Sequence, residues 1–463
     1  MTAIITRNGT VMKRVYLLDE VFQQIKSDLT LTFHQEIRDL TIHQERILYK
    51  ISKPTSGPNA GTELIIVPRG YAWKLPMTIK NSIPTSAKCM FKQAIIPEKH
   101  QVPIIERLTD ELTKYSTALL DMGTGQGKSY VAAQVMINLS VPTLIVVDRD
   151  FLAQQWLEDV LVRISPDAKK LTKKMIDKGA QALPNVGIIL IQSAIKYAQT
   201  LIQKYVFVVY DEVHEYTSEI RSEVFWKLST NYTMGMSGTL HDARFRGVYI
   251  SHLARFTDEP NIVVADEISG LDKPKFNVHV HKMMFRGHED HIKWLTGALG
   301  TLDYDKMCKQ VMNDPTRRAA LTSLIRQVYQ DGVHMFVFTS RKAHARQLCV
   351  DLADLEPILL VGGAGRDDHM KAKSDASRTL IICNYQYLMK SFSVKRMNHI
   401  ILALPRVAQT AQVIGRILRL GSDITQPRHV YDIVDTRTGL ARQYKTRKNI
   451  YKQLDATIDK RRI

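Results

Sequence analysis

From about residue 91 onward the chain alternates short, unbroken apolar runs with longer stretches whose apolar residues recur at helical spacing. The first series of runs lies at 117–120, 143–147, 187–191, 206–210 and 232–236. Strands covered on both faces of a parallel sheet read this way, because neither face alternates with water. A second series follows at 335–338, 358–361, 380–383, 400–404 and 429–433. Two doubly wound α/β domains are predicted, each with a parallel sheet. The chain between them is more polar around 258–274, with Pro260 and Gly270 inside it, and this is the expected linker.

Residues 1–90 carry a different pattern. Short β-type runs at 3–6 and 64–67 are broken by turn signals such as Asn8-Gly9 and Ser56-Gly57-Pro58-Asn59, which predicts a small separate α+β module. The expected organisation is an accessory module over 1–90 and α/β domains over 91–270 and 271–463. The last domain closes with a basic segment, 441–463, holding eight Lys or Arg against two Asp.

Composition sharpens this picture. The 463 residues hold 64 Lys and Arg against 46 Asp and Glu, a formal charge of +18 that suits a polyanionic partner. The four cysteines, Cys89, Cys308, Cys349 and Cys383, are scattered without metal-ligand or disulfide spacing and fit a reducing compartment. The first twenty residues contain no apolar leader core, and nowhere do about 18 uncharged apolar residues run together. A chain of the cytoplasm is expected, or of the host cytoplasm if a virus or phage encodes it, with no membrane partner and working as a monomer.

Three motifs carry chemistry. Asp121-Met-Gly-Thr-Gly-Gln-Gly-Lys-Ser129 follows the run 117–120 and opens the helical stretch 130–139. Strand, glycine loop and helix is the context of a phosphate site. Backbone N–H groups of Thr124, Gly125, Gln126 and Gly127 can curl around phosphates, Lys128 can reach the β- and γ-phosphates, and Ser129 can hold Mg²⁺. The second motif is the apolar run 206–210 ending in Asp211-Glu212, 83 residues after Lys128. The C-terminal edge of such a strand is where doubly wound sheets place ligands. Asp211 is suited to Mg²⁺ and Glu212 to orienting the water that attacks the γ-phosphate of ATP. The third is Gln412-Val-Ile-Gly-Arg-Ile-Leu-Arg419, whose spacing puts Gln412, Gly415, Arg416 and Arg419 on one helical face. Arginine's planar fork can spread over phosphoryl oxygens in a transition state, although a basic face can also be merely solvated.

In order and spacing these motifs resemble those of the superfamily 2 helicases of the DExH group, over roughly 91–437. Thr124–Ser129 resembles motif I in the helicase form Thr-Gly-x-Gly-Lys-Ser, and Asp211-Glu-Val-His214 resembles motif II. Ser237-Gly-Thr239 resembles motif III, and Gln412–Arg419 motif VI. Val147-Asp-Arg-Asp-Phe-Leu-Ala-Gln-Gln-Trp156 is similar to motif Ia, and Phe336-Val-Phe-Thr-Ser-Arg-Lys342 to motif IV. The resemblance implies ATP held between two RecA-like domains, with Lys128, Ser129, Asp211 and Glu212 on one wall and Arg416 and Arg419 on the other. It implies that Ser237 and Thr239 couple hydrolysis to nucleic acid, that His214 bridges motif II to other elements, and that Gln101 reads adenine. Motif V departs: the matching Ser391-Phe-Ser-Val-Lys-Arg396 lacks the family's aspartate, so its roles are not carried over.

Arg149, Arg341 and Lys342 are candidate phosphate contacts on the nucleic acid, each with the plain alternative of a solvated charge. No base-reading signature is evident, so a motor that follows the backbone is expected. The chain is similar to compact helicases of large DNA viruses and tailed phages, including the UvsW type. That resemblance implies an ATP-dependent DNA helicase that remodels branched or forked DNA in recombination, repair or replication. The region 1–90 carries twelve basic against seven acidic residues and an aromatic-basic cluster, Arg69-Gly-Tyr-Ala-Trp-Lys74, able to stack at a junction or simply to pack. A viral transcript-release or RNA helicase is the nearest alternative, and a nucleic-acid binder switched by ATP without processive unwinding is the alternative of another class.

Overall fold

The computed structural model divides into two compact units, Met1–Leu271 and Asp272–Ile463. It describes every residue except 1, 8, 38–39, 84–87, 93–94, 124–125, 239, 241–245, 270–274, 290–302, 362–377, 386–393, 395, 405, 407–409 and 420–421, and only the backbone of 33–43. Among the described residues no helix is long and apolar enough to cross a membrane.

Unit 1 is built on a seven-stranded, all-parallel sheet in the order Lys169–Lys170, Val186–Leu190, Thr143–Val147, Phe207–Asp211, Tyr232–Ser237, Thr117–Asp121, Val263–Val264. The central strands Thr143–Val147 and Phe207–Asp211 are buried at every position, which is why their sequence shows no alternation. The expected linker begins later than its polarity suggests. Val263–Val264 pairs with Thr117–Asp121 and the helix Ala265–Ile268 follows it, so the turn-rich stretch around Pro260 is the far edge of unit 1; 270–274 lies outside the described residues.

The N-terminal residues form their own five-stranded sheet, in the order Lys50–Ser52, Leu64–Val67, Gly9–Lys13, Thr2–Thr6, Thr78–Asn81, but they do not have their own core. Ala3, Met12, Ile65 and Val67 on its inner face join one apolar cluster with Leu119, Leu144, Val146 and Tyr249 of the parallel-sheet domain. Arg69 locks the two together: fully buried, it donates to the carbonyls of Ser116 and Asn231 at 3.2 and 3.3 Å and to Ser229 Oγ at 2.7 Å. A Cβ at Gly70 would lie 2.0 Å from the Ala254 carbonyl oxygen, so only glycine permits this approach. Arg69–Ala72 are therefore buried and Trp73 is half-buried, so the cluster offers no open stacking platform, while Lys74 is exposed and pairs with Asp28. Trp73 donates to the Tyr115 carbonyl at 3.2 Å, and Tyr71 to Asp28 at 2.9 Å.

Unit 2 holds a second all-parallel sheet, in the order Ile358–Leu360, Thr379–Asn384, His334–Thr339, His399–Leu402, Arg428–Asp435, Val278–Phe285, Thr457–Arg462. The basic C-terminal segment is thus structural, supplying the helix Gln443–Gln453 and the edge strand Thr457–Arg462. Arg447 forks onto Asp432 at 2.9 and 2.8 Å, and Tyr451 donates to the same carboxylate at 2.6 Å. The motif VI helix is shorter than its spacing predicts: the α-helix Thr410–Ile414 ends before Arg416, and the next turns close by tighter bonds, Arg416 N–H to Val413 and Ile417 N–H to Ile414, both at 3.0 Å. Gly415, a poor helix residue, sits at the change.

Candidate active site

The strand Thr117–Asp121 delivers the chain into the glycine loop, and the helix Lys128–Leu139 leaves it. Gly127 has φ +90°, and a Cβ there would lie 2.4 Å from Gln101 Nε2. Gln101, buried at the start of the helix Val102–Tyr115, accepts from Glu98 N–H and donates to the Gln126 carbonyl, both at 3.1 Å. Both ends of its amide are thus engaged with backbone, and in this arrangement Gln101 shapes the loop. Gln126 Nε2 donates in turn to Asp266 at 3.0 Å. Lys128 Nζ donates to the Met122 carbonyl at 3.2 Å, keeping the ammonium beside the loop.

Because the sheet is parallel, the strands Phe207–Asp211 and Tyr232–Ser237 end at the same edge as the loop. Asp211 is 5 % exposed there, with one oxygen accepting from Trp156 Nε1 at 2.9 Å and the other from the Glu212 N–H at 3.0 Å. Burial, followed by the neighbouring Glu212 carboxylate, pushes its pKa up to about 7, against the opposing pull of the Trp156 N–H and the Lys128 charge. Glu212 sits in the left-handed region at φ 48°, an uncommon backbone for a side chain of its size and a form of strain that gathers at functional sites. His214 Nδ1 lies 2.7 Å from Ser237 Oγ, while the Ser237 carbonyl accepts the Met122 N–H at 3.0 Å. The acidic strand end, motif III and the root of the phosphate loop are therefore one hydrogen-bonded chain.

The structure brings together Gln101, Gln126, Gly127, Lys128, Ser129, Asp211, Glu212, His214 and Ser237 within unit 1. Thr124, Gly125, Thr239 and most of the motif V stretch lie outside the described residues. In unit 2, Gln412 is half-buried, while Arg416 and Arg419 are 4 % and 6 % exposed. Burial lowers the Arg419 pKa to about 10, and its Nε and Nη2 have no acceptor among the described residues. Of the nucleic-acid candidates, Arg149 pairs with Asp148 at 2.6 Å, Arg341 pairs with Asp305, and Lys342 is exposed at the start of the helix Lys342–Asp351. Sequence reasoning missed Trp156 and Asp266. An indole among apolar helix positions reads as core, and an acid in a polar stretch reads as solvated.

Mg²⁺ is commonly held by one or two protein oxygens together with substrate phosphates, and the donor set of Asp211 and Ser129 fits it. The lysine loop and glycine-opened helix N-terminus fit a polyphosphate. Fold and site define a class: a RecA-like α/β protein with a lysine-bearing glycine loop and an acidic strand end at one edge of a parallel sheet. Residues 94–242 match the family model described as type III restriction enzyme, res subunit. An African swine fever virus protein with the provisional name ATP-dependent RNA helicase is 26% identical over 388 residues, covering 76% of this chain and 72% of its own. A mimivirus protein of the same provisional name is 22% identical over 98% of this chain and 86% of its own. Among solved structures, a fragment of a type I restriction enzyme HsdR subunit from Vibrio vulnificus, itself provisionally assigned, shares the fold at a TM-score of 0.54 and 17% identity, covering 80% of this chain and 69% of that one. These similarities support a superfamily 2 helicase of viral type.

Proposed function

We propose that the chain is an ATP-driven nucleic-acid helicase. The observation that carries this reading is the lysine-bearing loop and the acidic strand end, buried Asp211 beside half-exposed Glu212, at one edge of one parallel sheet, joined through Ser237 and His214. Lys128 and the loop N–H groups bind the β- and γ-phosphates, Ser129 and Asp211 hold the metal, and Glu212 orients the attacking water and receives its proton. When bound, ATP with Mg²⁺ supplies the phosphoanhydride bond and neutralises phosphate charge. Gln412, Arg416 and Arg419 serve the same hydrolysis. The Nε and Nη2 donors of Arg419, buried without an acceptor among the described residues, support this, since an anion would relieve that penalty. His214, Ser237 and Thr239 pass the state of the site on, and Arg149, Arg341 and Lys342 contact phosphates of the track.

The finer reading is a DNA helicase acting on branched DNA, with residues 1–90 selecting the substrate. The burial of Arg69–Ala72 leaves it resting on the basic balance of that region. A second reading, RNA as the track, is favoured by the names of the African swine fever virus and mimivirus relatives. An ATPase assay comparing forked DNA, plain duplex and single-stranded RNA decides between them. Strongest stimulation by the fork supports the first, stimulation by RNA alone overturns it, and no stimulation by any of the three overturns the helicase itself.

A further inference from the structure

Asp211 has one described side-chain donor, and it comes from a segment 55 residues earlier in the chain. The chain leaves the strand Thr143–Val147, turns at Arg149 into the helix Asp150–Gln155, and widens into the π-helical turn Trp156–Leu161. Wide turns of this kind insert a residue into a helix and recur at functional sites. Here the turn touches both sides of the nucleotide site. Trp156, 2 % exposed, donates its indole N–H to Asp211 Oδ2 at 2.9 Å, and the Asp159 carbonyl accepts the Tyr130 hydroxyl at 3.2 Å, one residue beyond Ser129. Arg163 lies over the Tyr130 ring at 5.8 Å from its centre.

A carboxylate has about four lone-pair sites, so the two bonds Asp211 accepts leave room for a metal. They also fix which lone pairs remain. The Glu212 N–H is tied to its own backbone, whereas the indole is held by a packed core, and only the indole can set the carboxylate's rotation independently of the motif II turn. Core packing alone does not call for this N–H, because a fused bicyclic side chain of the same shape without it, such as benzothienylalanine, would fill the same apolar surroundings.

We propose that Trp156 is a positioning residue of the nucleotide site, whose indole N–H holds the Asp211 carboxylate in the orientation that receives the metal accompanying ATP. This rests on the ATPase reading above. The test uses the full chain with a non-hydrolysable ATP analogue and Mn²⁺, read by electron paramagnetic resonance, in three proteins: wild type, Trp156→Phe, and Trp156 replaced by benzothienylalanine, which keeps the ring shape without the N–H. Removing a hydrogen bond behind a metal ligand weakens metal binding by about tenfold or more. The expected result is that loss of Mn²⁺ affinity in both variants, with analogue affinity in the absence of metal and the thermal midpoint of the benzothienylalanine protein unchanged. Wild-type Mn²⁺ affinity in the benzothienylalanine protein overturns the proposal alone. A wild-type chain that binds neither analogue nor Mn²⁺ overturns the ATPase reading and this one with it.

Discussion

Asp211 and Glu212 are adjacent carboxylates in different surroundings, and the difference suits the separate roles proposed for them. Asp211 is buried and gripped by two donors, fit for a fixed ligand; Glu212 is half-exposed on a left-handed turn, fit to meet a water. Glu212→Gln is expected to retain nucleotide binding while turnover falls by about 100-fold or more, the scale of a lost general base, in parallel binding and steady-state assays. Lys128→Ala removes charge-assisted bonds to phosphate and is expected to weaken nucleotide binding by about tenfold or more, read by fluorescent-nucleotide titration. The placement of Lys128, Ser129, Asp211 and Glu212 at one sheet edge was legible in the sequence because each lies within a few residues of the strand or loop that presents it. Trp156 and Asp266 were not, because each acts on a residue brought near only by the sheet, 55 positions away for Trp156 and 140 for Asp266.

At the level of elements, the parallel strands were legible and the edges were not. The run 143–147 is apolar throughout because helices cover both faces, whereas Val278–Phe285 alternates His and Lys with Val and Met, and Thr457–Arg462 is mostly charged. Edge strands and half-covered strands carry polar side chains that blur the apolar signal. The absence of an independent N-terminal core was equally hidden, since Arg69 reads as a surface charge until its three acceptors are known. Arg69→Ala removes those bonds from a buried site and is expected to destabilise unit 1 by on the order of 3 kcal/mol, measured by denaturant unfolding.

The strands of unit 2 also set His279, His429 and His399 side by side, with ring centres 5.2 and 4.7 Å apart. Burial first, then the charges of neighbouring histidines, depress His399 from 6.5 to about 3 and His429 from 6.5 to about 4. The unfolded chain takes up these protons near pH 6.5 and the folded one only well below it. Stability from this row is therefore complete above that pH and declines as pH falls toward 4. The thermal midpoint of unit 2 should drop between pH 7.5 and pH 5, and His399→Gln should flatten the drop; identical slopes in the two proteins would contradict the assignment.

On the scale of the whole molecule, a charge of +18 makes attraction to phosphates the largest contribution to binding any nucleic acid. With four phosphates neutralised, affinity should fall by about 100-fold between 50 and 200 mM salt, a slope that anisotropy titration reads directly. Charge brings the track to the protein, but only hydrolysis can move the protein along it. That coupling is tested by ATP-dependent displacement of streptavidin from biotinylated forked DNA and from biotinylated RNA, with Glu212→Gln as the control. The wild-type chain is expected to displace streptavidin on at least one track, and the variant on neither. ATP hydrolysis by the wild type that displaces nothing from either track would overturn the motor reading.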